Sequence, residues 1–264
     1  MNISKILSLP ADLTKASKSR KGQNMIAVAS GKGGVGKTWL SICLAHALAK
    51  QGQKVLLFDG DLGLANVDIQ LGLVAQYDLS SVIVGKVPMT QAISRSDLGF
   101  DVIAGRSGSG SLANIPLSRL QLIFDDLQLL CAQYDKVIID LGAGIEKAVR
   151  LFAQNAGTLL VVCTDEPTSL TDAYAFIKVI NTQNPQVDIQ IVINAVASIK
   201  EGERTYSTLL KACQGFLKIS PPLLGVIRRD THVRDAIRAQ NSILQAFPNC
   251  DATTDVLALV DKIP

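Results

Sequence analysis

The sequence predicts an α/β protein with a doubly wound, mainly parallel β-sheet and helices on both faces. Short continuous apolar runs such as Val55–Phe58 and Val137–Ile139 are typical of strands that are buried on both sides. They alternate with helical segments, of which Leu117–Ala132 places its apolar residues on one face. Several runs end in carboxylates or glycines, and in such sheets ligands bind at the carboxyl ends of the strands. We expect about seven or eight strands, with the ligand site across their ends.

Composition agrees with one such domain. The 264 residues are 48% hydrophobic and 19% charged, which provides ample material for a core on both sides of a sheet. A net charge of +3 neither requires nor excludes nucleic acid as a partner. The sequence has no run of about 20 apolar residues and no signal peptide, which predicts a cytoplasmic protein. The cysteines are far apart, without the spacing of metal ligands, and we interpret them as reduced core residues: Cys43, Cys131, Cys163, Cys213 and Cys250.

A glycine-rich loop follows the apolar run Met25–Ala29. It reads G-K-G-G-V-G-K-T and fits the phosphate-binding pattern G-x-x-x-x-G-K-[ST]. Lys37 is predicted to reach the β- and γ-phosphates of a nucleotide, and the Thr38 hydroxyl to hold Mg²⁺. The backbone N–H groups of the loop are expected to converge on the phosphate oxygens, so the whole loop is a candidate binding site: Gly31, Lys32, Gly33, Gly34, Val35, Gly36, Lys37 and Thr38.

Carboxylates end two of the predicted strands. Asp59 and Asp61 follow the run Val55–Phe58, and Asp140 follows Val137–Ile139. Their position at strand ends predicts that Asp61 orients an attacking water and that Asp59 supports Mg²⁺ through its water shell. Asp140 matches the Walker B aspartate, which binds Mg²⁺ through water. An aspartate that caps the following turn is the alternative for either Asp59 or Asp61.

Lys32 adds a second lysine to the loop, and the run K-G-G-V-G-K-T resembles the deviant phosphate loop of the MinD/ParA class of P-loop ATPases. In that class this lysine crosses to the nucleotide of the other subunit. The resemblance implies ATP and Mg²⁺ as cofactors, a homodimer that forms with ATP, and slow hydrolysis with Lys32, Lys37 and Asp61 as catalytic residues. A solvated loop lysine is the alternative for Lys32.

Two further segments narrow the resemblance. Residues 62–73, L-G-L-A-N-V-D-I-Q-L-G-L, and 165–174, D-E-P-T-S-L-T-D-A-Y, are similar to motifs of the FlhG/FleN-type regulators of flagellar number and placement. This similarity implies that the ATPase acts as a switch on protein partners. The implied partners are a flagellar SRP-type GTPase, a flagellar transcriptional activator, or both, and recruitment to a cell pole would depend on such a partner.

Two residues are candidates for binding the nucleotide base. Asn194 lies near the end of the run Ile189–Val196, and an amide there can both accept from and donate to adenine, as the family's asparagine does. A core asparagine with internal partners is the alternative. Arg228 stands where the family commonly has proline, and we expect its guanidinium to stack on the purine.

The two ends of the chain depart from the flagellar regulators. Residues 1–23 form a basic arm with five cations against one acid, interpreted as a mobile arm or a partner-docking peptide, before an ATPase domain at 24–264. The last residues, 255–264, carry one lysine against two acids, unlike the family's basic amphipathic helix. We expect them to form a last core helix, and the protein not to bind membranes stably by itself.

Two other functions fit the same ATPase class. One is a ParA-like partition ATPase that binds DNA non-specifically through a basic patch, for which the candidates are Arg228, Arg229, Arg234 and Arg238. The other is a MinD-like regulator of the division site. The flagellar motifs, and the lack of a dedicated DNA-reading domain, argue against DNA binding.

Overall fold

The computed structural model describes residues 22–105 and 115–263. Its sheet has eight strands in the order β3-β4-β2-β5-β1-β6-β7-β8, and all neighbours are parallel except β3 and β4. This confirms the doubly wound, mainly parallel fold. Most of the basic arm, residues 1–21, lies outside the described residues, and so does the run 106–111, whose serines and glycines predict an exposed loop. The strands are β1 Met25–Ser30, β2 Val55–Gly60, β3 Ile93–Arg95, β4 Asp101–Ile103, β5 Lys136–Ala143, β6 Thr158–Cys163, β7 Asp188–Val196 and β8 Leu223–Arg228.

Helices cover both faces of the sheet. Successive side chains of a strand point to opposite faces, so along β1 Ala27 and Ala29 pack on one side and Ile26 and Val28 on the other. A 3-10 turn spans Met89–Ala92 and a π-turn spans Cys213–Leu217. The α-helices are α1 Lys37–Lys50, α2 Val67–Leu71, α3 Leu79–Ile83, α4 Leu117–Cys131, α5 Lys147–Asn155, α6 Pro167–Gln183, α7 Ile199–Ala212, α8 Thr231–Arg238, α9 Ile243–Ala246 and α10 Asp251–Val260.

The edge of the sheet differs from the prediction. The sequence does not predict strand β3, because two half-buried residues, Ile93 and Ser94, and the exposed Arg95 show no usable hydrophobic periodicity. It pairs antiparallel with β4, which lies within the run 100–104, where the sequence predicts a strand. The antiparallel edge is therefore a product of tertiary packing.

The last helix, α10, confirms the expectation for the C-terminal residues. Val256, Leu259 and Val260 are buried in the same cluster as Leu40 and Leu44 of α1. The apolar side of α10 is thus used within the domain. Among the helices of the described residues, none has the length and apolar content needed to cross a membrane.

One buried histidine ties α1 to the short helix α9. His46 is 6% exposed, and its Nδ1 lies 2.7 Å from the Oγ of Ser242, the N-cap residue of α9. Burial lowers the pKa of His46 from 6.5 to about 4, and the nearby Lys50 adds to this effect. The folded protein therefore holds a neutral imidazole at this position, whereas the unfolded chain takes up a proton as the pH falls below 6.5.

This predicts a loss of stability in acid that is due to His46. Between pH 7.5 and pH 5 the contribution of this residue to the free energy of unfolding should fall by about 2 kcal/mol. Below pH 4, where both states are protonated, the total loss should approach about 3 kcal/mol. His46→Asn places a neutral amide near the position of Nδ1 and removes the titration. Urea denaturation at both pH values should therefore show a smaller acid-induced loss for the variant than for the wild type. Equal losses in the two proteins would contradict the prediction.

Candidate functional site

The phosphate loop joins β1 to α1, and two of its glycines are required by close contacts. A Cβ at Gly31 would lie 2.1 Å from the carbonyl oxygen of Asp172, so the loop could not pass α6 with a larger residue there. Gly36 has a φ of +93°, and a Cβ there would lie 2.4 Å from Nδ2 of Asn194. The same Nδ2 donates to the carbonyl of Val35 at 2.8 Å. The loop is therefore fixed by the neighbouring elements around it.

Lys37 begins α1 and holds its ammonium inside the loop. It is only 9% exposed, and Nζ donates to Oγ of Ser30 at 2.9 Å. Burial lowers the pKa of Lys37, although the charges of Asp140 and Asp61 oppose the shift. Within the described residues Lys37 makes no salt bridge to a carboxylate. A buried ammonium without an ion pair fits an anionic ligand such as a phosphate group.

Asp59 and Asp140 lie side by side, because they are paired in register on β2 and β5. Both are buried, and burial raises the pKa of each carboxyl; the charge of Asp140 adds to the effect on Asp59. Thr38 Oγ1 donates to Asp140 at 2.6 Å, and Ser41 Oγ donates to its other oxygen at 3.0 Å. Hydroxyl and carboxylate oxygens are the donors that Mg²⁺ prefers, so this group of residues fits that ion.

Asp61 lies between a turn and the open site. Its Oδ1 accepts from the backbone N–H groups of Gly63 and Leu64, as expected of an aspartate that caps a turn. It also lines a cavity of about 510 Å³ together with Lys37, Thr38 and Gly142. A Cβ at Gly142 would lie 3.2 Å from Asp61 Oδ1, so β5 has a glycine at the position that the carboxylate passes. Asp61 therefore both caps a turn and lines the cavity. That Asp61 orients an attacking water stays a prediction.

Lys32, the other lysine of the loop, contacts residues at the start of α6. Its Nζ lies 2.5 Å from Glu166 Oε2 and 2.9 Å from Thr168 Oγ1, and its side chain is 37% exposed. Glu166 is the N-cap residue of α6, and the ion pair lowers the pKa of its carboxyl. The sequence analysis did not predict this contact. The available signal was the Glu-Pro-Thr run at 166–168, which starts a helix next to the loop.

Ser41 is a second residue that the sequence analysis missed. It follows Thr38 by three positions, so both hydroxyls lie on one side of α1 and reach the same carboxylate. Ser30, which accepts the hydrogen bond from Lys37, was missed as well, although it directly precedes the loop.

The two candidates for base binding line a second cavity of about 480 Å³, next to Gly36. Asn194 is buried there, with one amide hydrogen already given to the loop. Arg228 is tied to the last helix: Nε and one terminal nitrogen donate to Asp255 at 2.9 and 2.8 Å, and the other lies 2.8 Å from Asp251. The sequence analysis did not predict these ion pairs. Stacking of Arg228 on a purine stays a prediction and has to occur alongside them.

Comparison with known proteins identifies the family. The model of the CobQ/CobB/MinD/ParA nucleotide binding domain matches residues 26–243. The antiactivator FleN of Pseudomonas aeruginosa is 37% identical over 90% of this chain and 85% of its own length. The flagellum site-determining protein YlxH of Helicobacter pylori is 33% identical over 85% of this chain and 76% of its own.

A solved structure shows the same fold. The septum site-determining protein MinD of Pyrococcus horikoshii, solved with Mg-ADP, superimposes with a TM-score of 0.77 at 22% identity, over 90% of this chain and 95% of its own. The family model covers most of the chain, including the phosphate loop and both strands that end in carboxylates. The chain therefore belongs to the CobQ/CobB/MinD/ParA family of nucleotide-binding domains.

Proposed function

We propose that this protein is an ATP-dependent molecular switch that regulates flagellar number or placement through partner proteins. With ATP and Mg²⁺ bound, two copies associate; slow hydrolysis to ADP and phosphate separates them. The proposal rests on the different positions of two lysines in the phosphate loop. Lys37 is enclosed, with its ammonium against Ser30, whereas Lys32 lies on the exposed side of the loop beside Glu166.

The enclosed part of the site supports ATP binding and hydrolysis. The loop from Gly31 to Thr38 offers backbone N–H groups to the phosphates. Lys37 supplies a buried positive charge that forms no ion pair within the described residues. Thr38, Asp59 and Asp140 are the residues that would hold Mg²⁺, directly or through its waters. When bound, Mg²⁺ neutralises charge on the phosphate oxygens. Asp61 lines the same cavity and is the residue that we expect to orient a water.

The exposed part of the site supports association. In the single chain Lys32 is paired with Glu166 and Thr168 at the surface, so its ammonium is available to an anion on a second copy if that anion competes with Glu166. Exposed ion pairs are weak in water, and a triphosphate carries more charge than one carboxylate. The exchange of partners by Lys32 would therefore link dimer formation to ATP.

The proposal also includes the residues that bind the nucleotide base and the proteins that the switch contacts. Asn194 and Arg228 line the cavity beside the loop, where an adenine would be bound. The names of the relatives, an antiactivator and a flagellum site-determining protein, support a role in flagellar assembly. We infer a flagellar SRP-type GTPase or a flagellar transcriptional activator as partner, with the switch in the cytoplasm and recruited to a cell pole by that partner.

The first test concerns Lys37. Lys37→Ala removes the buried charge, and hydrogen bonds to charged groups contribute about 1.5–3 kcal/mol, so ATP affinity should fall by roughly 10- to 100-fold. Calorimetry and phosphate release would measure binding and turnover. Lys178→Ala, which removes an exposed lysine of α6, is the matched control and should behave as the wild type. Unchanged ATP binding and turnover in Lys37→Ala would remove the central claim.

The second test concerns association. In sedimentation experiments the wild type should be monomeric with ADP and dimeric with a non-hydrolysed ATP analogue. Asp61→Ala should accumulate as a dimer with ATP, because it binds the nucleotide but does not orient water. Lys32→Ala should bind ATP yet remain monomeric, and its ATP affinity is measured first to establish this. The proposed ATP-dependent dimer is contradicted if the wild type has the same mass with both nucleotides.

The third test concerns membranes. Because α10 buries Val256, Leu259 and Val260 and its Asp255 is paired with Arg228, the helix has no broad basic apolar face for anionic lipid. The chain should therefore not co-sediment stably with anionic liposomes at physiological salt, with or without ATP. Any weak adsorption should vanish on deletion of residues 1–23, the basic arm. ATP-dependent co-sedimentation that survives this deletion would show that α10 leaves the domain and binds lipid.

A further inference from the structure

Three side chains with metal-binding atoms meet at a corner of the domain next to the cavity predicted for the nucleotide base. One carboxylate oxygen of Asp230, one ring nitrogen of His232 and the Sγ of Cys250 all lie within 4.8 Å of one another. From the sequence, Cys250 was expected among the core cysteines. In the structure Cys250 is half-buried, unlike the other four, and His232 is exposed. The three side chains therefore form a cluster that is open to solvent on one side.

The fold holds these residues in place through contacts of two helix starts. Asp230 is the N-cap residue of α8, and Cys250 is the N-cap residue of α10. Asp230 Oδ1 accepts from the backbone N–H of His232 at 3.0 Å, and Oδ2 accepts from that of Ala252 at 3.2 Å. One carboxylate thus joins the first turns of both helices, and the cluster does not depend on a flexible loop.

The imidazole is held on its other side as well. The His232 ring packs on Phe247 with 4.5 Å between the ring centroids, and its Nδ1 lies 2.7 Å from Asp230 Oδ1. The Cys250 thiol donates to Thr253 Oγ1 at 3.3 Å. The rotamers of both side chains are therefore set by neighbours, which reduces the ordering that a bound ion would require.

We propose that Asp230, His232 and Cys250 form a binding site for a transition metal ion, zinc(II) in the first instance. Imidazole nitrogen, thiolate sulfur and carboxylate oxygen are the ligands that Zn²⁺ takes in proteins, with bonds of about 2.0–2.3 Å. Around a tetrahedral ion such ligand atoms stand about 3.3–3.6 Å apart. The nitrogen and oxygen have to separate slightly, and the sulfur has to move toward them, which side-chain rotation can supply.

These three ligands do not suit Mg²⁺, the ion predicted for the nucleotide site. Mg²⁺ requires near-octahedral oxygen coordination and has little affinity for a thiolate, whereas a nitrogen, oxygen and sulfur set suits Zn²⁺ or Co²⁺. Three protein ligands leave the fourth position to water. Binding releases the thiol proton of Cys250, because the thiolate is the form that ligates.

Bound metal would connect α8 to α10. Since Asp230 also lines the cavity beside Gly36 and Asn194, the ion would stiffen one wall of the predicted base pocket. A ligand that binds the folded but not the unfolded chain raises the unfolding temperature, so the site predicts stabilisation by zinc.

The test is a titration of the reduced, metal-free, full-length chain with Co²⁺ in the absence of nucleotide. One equivalent should produce a near-ultraviolet cobalt–thiolate charge-transfer band and the intense visible bands of tetrahedral cobalt, and Zn²⁺ should remove them. A large excess of Mg²⁺ should leave them unchanged. Cys250→Ser and His232→Ala should each weaken Co²⁺ binding by at least about tenfold, since loss of a supporting group alone costs about that much. Cys213→Ala, which removes another cysteine, should bind as the wild type.

A further variant separates metal binding from helix capping. Asp230→Asn keeps a side-chain oxygen that caps α8, because asparagine is as good an N-cap residue as aspartate, but it removes the anionic ligand. Its NH₂ group cannot accept from the backbone N–H of Ala252, so we expect an unfolding temperature below that of the metal-free wild type, but the variant should remain folded and lose at least tenfold in Co²⁺ affinity. The proposal is overturned if the wild type shows no charge-transfer band, or if Cys250→Ser or His232→Ala binds Co²⁺ as tightly as the wild type. If one of these two variants does not fold, the other and Asp230→Asn decide the question by the same criterion.

Discussion

The carboxylate of Asp140, in the carboxyl-terminal half of the central strand β5, is the group on which the arrangement of the predicted nucleotide site depends. It accepts hydrogen bonds from Thr38 and Ser41 of α1, and it lies in register with Asp59 of β2. These contacts connect the helix after the phosphate loop to two neighbouring strands. Since β1, β2 and β5 are parallel, their carboxyl ends meet at one edge, and the loop and both carboxylates are brought together there.

This arrangement buries one ammonium group close to two carboxyl groups. Lys37, Asp59 and Asp140 are each 9% exposed or less, and burial disfavours the charged form of all three, which lowers the pKa of the lysine and raises those of the carboxyls. A folded protein gains little from such a cluster by itself, because the loss of hydration offsets the attraction between the charges. Phosphates and a divalent cation would supply the partners that the buried groups lack. The cluster is thus better explained by ligand binding than by stability.

The surface contacts around the site have a different character. Lys32 and Glu166 form an exposed ion pair, which is weak in water and easily exchanged. Arg228 is held more firmly, by two carboxylates of α10. Asp230, His232 and Cys250 form a cluster where the starts of α8 and α10 meet. The last helix therefore supports the cavity beside the phosphate loop in addition to completing the core.

The sequence by itself determined the phosphate loop, the strands that end in Asp59 and Asp140, and the class of fold, because these features rest on local backbone requirements and on periodicity along the chain. Gly36 is an example, since its positive φ is a property of one residue. The tertiary structure decided which distant side chains meet. Lys32 and Glu166 are 134 positions apart, and no local pattern records the register that joins them. The same holds for Arg228 with Asp255, for the antiparallel edge strand β3, and for Cys250, whose neighbours follow from how two helices pack.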